Sequence, residues 1–100
     1  MQVKITDPAK AELKKIYNYY RRLGNGKKGR QIRADVMKAA LMLKQHPLMG
    51  PKEEHLEHLE LDHRFVVVNP HYKVIYRIEQ QVIFVTDVFD TRQNPGKIKP

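Results

Sequence analysis

The sequence predicts a small α+β domain in the order β-α-α-β-β-β, with a helical hairpin on one face of a mainly antiparallel four-stranded sheet. Three observations lead there. The run Arg64 to Ile98, RFVVVNPHYKVIYRIEQQVIFVTDVFDTRQNPGKI, breaks into three segments rich in β-branched and aromatic residues. Two stretches upstream repeat apolar residues at helical spacing, with Gly24-Asn25-Gly26 between them. The chain has 100 residues and no cysteine, so it must fold as one domain, residues 1–100, without disulfide staples.

Gln2 to Thr6 reads as a first short strand. Asp7-Pro8 then starts a helix, with Asp7 as N-cap and Pro8 at the first helical position. Ala9, Leu13, Ile16, Tyr20 and Leu23 fall at helical spacing and define its buried stripe. A second helix runs from about Lys28 to Gln45, with Ile32, Val36, Ala39, Ala40 and Leu43 facing inward. His46-Pro47 and Gly50-Pro51 end it. The short loop between the helices makes them antiparallel neighbours.

Residues 52–63, KEEHLEHLELDH, fit either a helical turn or a loop. The strands that follow are Phe65 to Val68, Tyr72 to Ile78 and Val82 to Phe89, joined by turns at Asn69-Pro70-His71 and Glu79-Gln80-Gln81. This meander implies a sheet with one buried face. Alternation places Tyr72, Val74 and Tyr76 on one side and Lys73, Ile75 and Arg77 on the other. The first strand would leave open backbone groups if unpaired, so it belongs at the edge of the same sheet.

The chain carries 19 basic and 11 acidic residues, a formal charge of +8. The excess sits in the first 35 residues, where Lys4, Lys10, Lys14, Lys15, Arg21, Arg22, Lys27, Lys28, Arg30 and Arg33 face only Asp7, Glu12 and Asp35. Such a bias suits either a solvated helix face or contact with nucleic acid or an acidic protein surface. A second series of cations, Arg64, Lys73, Arg77, Arg92 and Lys97, recurs along the strands and tail as a candidate platform for an anionic partner.

Several chemistries drop out on inventory. There is no serine and no cysteine, so a Ser-His-Asp or Cys-His nucleophile is excluded. GNGKKG lacks the Walker spacing and a preceding strand. His55 and His58 are spaced to share a metal on a helix, but the run reads better as solvated surface, and no metal or cofactor is expected. No apolar run reaches the roughly 20 residues that span a bilayer. MQVKITDPAK meets an acid and a proline before any apolar stretch, unlike a signal peptide, so a cytoplasmic protein is expected.

The run YKVIYRIEQQVIFVTDVFDTRQNP resembles the C-terminal half of the RelE/ParE superfamily of bacterial toxins from type II toxin–antitoxin systems, also called plasmid-stabilisation proteins. The resemblance extends over nearly the whole chain. It implies a small α+β toxin neutralised by a cognate antitoxin whose C-terminal segment wraps it. Operator DNA would be reached only indirectly, through that antitoxin. Ribosome-dependent members of the superfamily cut mRNA with basic residues on the sheet and a C-terminal tyrosine or histidine. By pattern Arg64, Lys73 and Arg92 fall at three of those basic positions, and His71 is the candidate to move a proton. Val66 and Ile98, however, stand where a lysine and the tyrosine are expected. The VFDTRQNP ending is closer to the ParE branch, which implies a non-nucleolytic toxin that inhibits DNA gyrase. The alternatives are a ribosome-dependent mRNA endoribonuclease and a non-toxic nucleic-acid-binding module.

Overall fold

The computed structural model describes residues 1–100. Strand β1 (Gln2–Ile5) leads into helices α1 (Asp7–Arg22) and α2 (Gly26–Gln45), and strands β2 (His63–Val68), β3 (Tyr72–Glu79) and β4 (Val82–Asp90) follow. The sheet order is β1-β4-β3-β2; β1 runs parallel to β4 and the other pairs are antiparallel. This is the expected architecture, with β1 at an edge.

The boundaries move by small amounts for local reasons. Thr6, not Asp7, caps α1: its hydroxyl accepts from the Ala9 amide at 3.3 Å and donates to the Val85 carbonyl at 3.0 Å. Asp7 becomes the first helical residue and Pro8 the second, where neither amide is needed. Leu23 is the C-cap of α1 and 62 % exposed, so it leaves the buried stripe that Ala9, Leu13, Ile16 and Tyr20 keep. Asn25 caps α2 through the Lys28 amide, so that helix starts at Gly26, earlier than its apolar pattern does. The 52–63 stretch contains a 3-10 turn over Glu54–Leu59.

The main core lies between the hairpin and the sheet. Ile32, Val36 and Leu43 from α2 meet Tyr72, Val74, Tyr76, Ile83, Val85 and Val88. Tyr76 is fully buried, and its hydroxyl is satisfied by the Pro47 carbonyl at 2.8 Å and the Gly50 amide at 3.1 Å. Val85 and Val88 are three residues apart yet share this face. A bulge allows it: Ile75 pairs with Asp87 and Tyr76 with Val85, leaving Thr86 as the extra residue in β4.

The sheet has a second buried face, contrary to the single one expected. Ile75 and Phe89 point away from the helices, and Leu56 of the 3-10 turn and Ile98 of the tail cover them, with Leu59 and Phe65 packed alongside. Two apolar residues on the far face require a cover, and the chain supplies it from both sides of the meander.

Candidate functional site

The sheet cations are distributed differently from the platform read in the sequence. Register puts Arg64 opposite Tyr76, on the helix face, where its guanidinium donates to the Gly50 carbonyl at 3.0 Å and Asp62 at 3.2 Å. Lys73 lies on the other face. Its ammonium bonds Glu53 at 2.8 Å and sits 4.0 Å above the Phe65 ring. Arg77 shares that face, paired with Glu79 and stacked over Phe84 at 4.6 Å. Tyr72 and Tyr76 are four residues apart, so about 13 Å of strand separates the His71 end of β3 from the level of Arg64. The four ribonuclease candidates Arg64, His71, Lys73 and Arg92 therefore do not converge. His71, Lys73 and Arg92 lie near one end of the sheet, where the His71 carbonyl accepts from the Thr91 amide at 2.8 Å, but Lys73 projects from the far face.

Glu53 is 1 % exposed, and its carboxylate takes Lys73 on one oxygen and both the backbone amide and the ring Nδ1 of His55 on the other. Burial works to raise this carboxyl, but Lys73 and His55 outweigh it and hold the group below its ordinary value. Lys73 thus pins the 3-10 turn to the sheet.

A cleft of about 740 Å³ lies elsewhere, between α1, the end of β4 and the tail. Lys15, Tyr19 and Arg22 line one wall, Asp87 to Asp90 the floor, and Arg92, Gln93, Lys97 and Lys99 the other wall. Five cations (Lys15, Arg22, Arg92, Lys97, Lys99) face three acids (Glu12, Asp87, Asp90), so the cleft favours an anionic group. Two of the expected site residues, Arg92 and Lys97, are here. Lys15 and Arg22 were named in the sequence only as part of the basic excess of the first half, and Lys99 not at all. The available signal was Lys15 and Arg22 at i and i+7, on one flank of α1.

Each cleft charge has a distinct setting. Arg92 binds Asp90 through two nitrogens, each at 2.9 Å; this pairing holds the guanidinium charged and the Asp90 carboxyl below its usual range. Glu12 accepts from Lys99 Nζ at 2.6 Å and Lys15 Nζ at 3.3 Å. Arg22 and Lys97 have no ion-pair partner. At the inner end the hydroxyls of Tyr20 and Tyr72 meet at 3.2 Å. Burial and the Tyr20 bond raise Tyr72, whereas the Tyr72 bond, Arg92 and Lys28 pull Tyr20 down, so Tyr20 is the acidic member of the pair.

Position 98 has a structural occupant. Ile98 is 6 % exposed in the second core, so the tail presents an apolar anchor at this position.

The family model for the ParE toxin of type II toxin-antitoxin system, parDE, matches residues 3–95. The chain belongs to the ParE toxin family. Nine chains of solved structures also match it. One comes from the chromosomal ParDE TA system from P. aeruginosa, with a TM-score of 0.73 at 20% identity, covering 90% of this chain and 95% of that one. That likeness establishes the shared fold. No curated protein matches. Membership in the ParE family implies an antitoxin partner. No helix of this ParE toxin is long and apolar enough to cross a membrane.

Proposed function

We propose that this ParE-family chain arrests growth by binding and poisoning DNA gyrase in the cytoplasm, without cutting RNA, and that a cognate antitoxin neutralises it. The observation that carries the reading is the dispersal of the ribonuclease candidates. Arg64 lies on the helix face, Lys73 is held by a buried carboxylate, and Ile98 is part of a core. A phosphorane-stabilising site needs its cations and proton donor around one reacting atom. The cationic cleft around Arg92, Arg22 and Lys97 is the proposed contact for an acidic surface of the target or of the antitoxin.

Expression without antitoxin is expected to stop bacterial growth. Purified toxin is expected to impair gyrase supercoiling and to leave mRNA on stalled ribosomes intact, in assays run side by side. Arg92→Ala is expected to weaken toxicity with an unchanged melting curve. Arg92 is half-exposed, and Asp90 keeps the backbone amide of residue 92 at 2.9 Å when the side chain is removed, whereas a charge-assisted partner contact is worth more. Full toxicity of a folded Arg92→Ala protein would remove Arg92 from the site.

One observation favours the ribonuclease alternative. The Tyr20 hydroxyl, bonded to Tyr72 at 3.2 Å and lowered by that bond and by Arg92, is a second proton-transfer candidate beside His71, which is exposed in a turn. Codon-position cuts that vanish in Tyr20→Phe, with growth arrest lost in parallel, would establish that alternative and overturn the gyrase reading.

A further inference from the structure

The unpaired positive charge of this toxin is concentrated on the outer face of the helical hairpin. Lys10, Lys14 and Arg21 share one stripe of α1 by the 3.6-residue period, and Lys27, Arg30 and Arg33 lie along the outer side of α2. All six are exposed, and none has an ion-pair partner. The helices hold only three acids. Glu12 is engaged by Lys15 and Lys99, Asp35 by Gln31 and Asn69, and Asp7 sits in the first turn of α1, at the end away from the interhelical loop.

The two rows are held close together. A Cβ at Gly29 would stand 3.1 Å from the Tyr17 ring and 3.2 Å from its carbonyl, so the helices touch backbone to backbone near the loop. Packed helices run about 8–10 Å apart, which places both rows within reach of one rod of dense negative charge. Fold stability does not account for the arrangement. The first turn of α2 has no acid and carries Lys27 and Lys28, although a helix N-terminus favours negative side chains.

We propose that this face binds the phosphate backbone of double-stranded DNA directly, without sequence preference. Duplex DNA presents one charge per about 1.7 Å, a density that rewards a surface of unpaired arginines and lysines. An acidic protein partner fits less well. Protein interfaces centre on apolar or aromatic anchors, and on α2 the exposed apolar residues Met37 and Leu41 begin only beyond Arg33, further from the loop. Tyr19, also exposed, lines the cleft, and the exposed Leu23 is the C-cap beyond the end of α1. The resemblance implied that operator DNA is reached only through the antitoxin; the hairpin adds a contact of the toxin's own. The inference stands whether the poisoned target is gyrase or the ribosome.

The test is fluorescence anisotropy of a labelled, operator-free duplex of about 20 bp with the full-length toxin, between about 50 and 200 mM salt. Six phosphate contacts give a log–log salt slope of about −5. The double reversal Arg30→Glu/Arg33→Glu is expected to weaken binding by about tenfold or more and to flatten the slope by about 2. Lys4→Glu/Lys52→Glu makes the same charge change at exposed sites outside the hairpin and is expected to weaken binding by less than about threefold. Lys27→Glu adds a readout that a structural role would not give. It should raise the melting temperature by a few degrees, because an acid suits the first turn, and at the same time weaken DNA binding.

Salt-independent or absent binding would overturn the proposal. So would equal losses in the two double reversals, which would reduce the effect to net charge. Tighter binding to poly-glutamate than to the duplex would assign the face to an acidic protein instead.

Discussion

Replacing Lys73 with alanine is expected to destabilise the domain by about 3 kcal/mol. The argument rests on what stays behind. Glu53 is 1 % exposed, and Lys73 is its only permanently charged partner, at 2.8 Å. Breaking a buried pair from one side costs about 3–5 kcal/mol, because the remaining charge is uncompensated. The Lys73 side chain is 20% exposed, so water can reach the vacated site, and the lower end applies. The contact of the ammonium with the Phe65 ring is lost as well. The double variant Glu53→Gln/Lys73→Met should recover most of the loss, since replacing both partners removes the buried charge altogether.

The pH dependence has a definite sign. Lys73 and His55 hold the Glu53 carboxyl below its ordinary value, so its contribution is complete above the unfolded carboxylate pKa and disappears as pH falls through the folded value. Lys73→Ala should therefore melt well below wild type at neutral pH and approach it in acid. A Lys73→Ala melting curve that overlays wild type at neutral pH would free Lys73 for a partner and restore it to the candidate site. Any growth assay on this variant needs that melting curve, because lost toxicity would otherwise report only unfolding.

Local signals made most of the architecture legible in the sequence. Apolar spacing placed both helices, and alternation in β3 placed Tyr72, Val74 and Tyr76 in the core. Where two residues compete for one role, the sequence alone is ambiguous. Thr6 and Asp7 are both good N-caps, and the choice is decided by the Val85 carbonyl, which lies 79 residues away and takes the Thr6 hydroxyl. Strand register also exceeded local signals. Arg64 looks continuous with Lys73 and Arg77 along the chain, but pairing opposite Tyr76 sends it to the other face. The Thr86 bulge was likewise not legible locally, because only the folded core shows that Val85 and Val88 share a face, which a regular strand forbids.

The cations were legible as charges but not as free charges. Arg64, Arg77 and Arg92 pair only two residues away, with Asp62, Glu79 and Asp90, but two partners lie far off in sequence: Glu53 is 20 residues from Lys73, and Glu12 is 87 from Lys99. Local and long-range pairs together remove charge from the sheet and tail and leave it on the hairpin, where composition had located the excess. The cleft was hidden for the same reason, since its walls come from α1 and from a tail that only the fold brings together.

Deleting Ile98-Lys99-Pro100 is expected to cost about 4 kcal/mol, a large share of the roughly 5–15 kcal/mol that holds a domain together. Two losses add. Ile98 is 6 % exposed in the second core, and burying such a side chain contributes about 1.5–3 kcal/mol. The backbone of Lys99 also serves the bulge: its amide donates to Asp87 at 3.0 Å, and its carbonyl accepts from Thr86 at 3.0 Å. Asp87 is 2 % exposed, so removing that donor leaves a buried carboxylate short of a partner, worth about 1–3 kcal/mol more.

Ile98→Ala should reproduce the apolar part alone, at about 2 kcal/mol in urea unfolding. Asp87 fixes the sign of the remainder. Burial raises its carboxyl above the ordinary value, so the ionised form costs stability at neutral pH, and the cost fades as pH falls through the raised value. The Lys99 amide opposes that shift, and its loss makes the neutral-pH cost larger. Glu12 loses the Lys99 ammonium in the same deletion, and Lys99→Met isolates that part because it keeps the backbone strap. The deletion penalty beyond Ile98→Ala and Lys99→Met should therefore be greatest at neutral pH, shrink on mild acidification and be relieved by Asp87→Asn. A residual penalty that is flat with pH and unaffected by Asp87→Asn would mean that the tail acts only through Ile98 packing, and that the strap on the bulge contributes nothing.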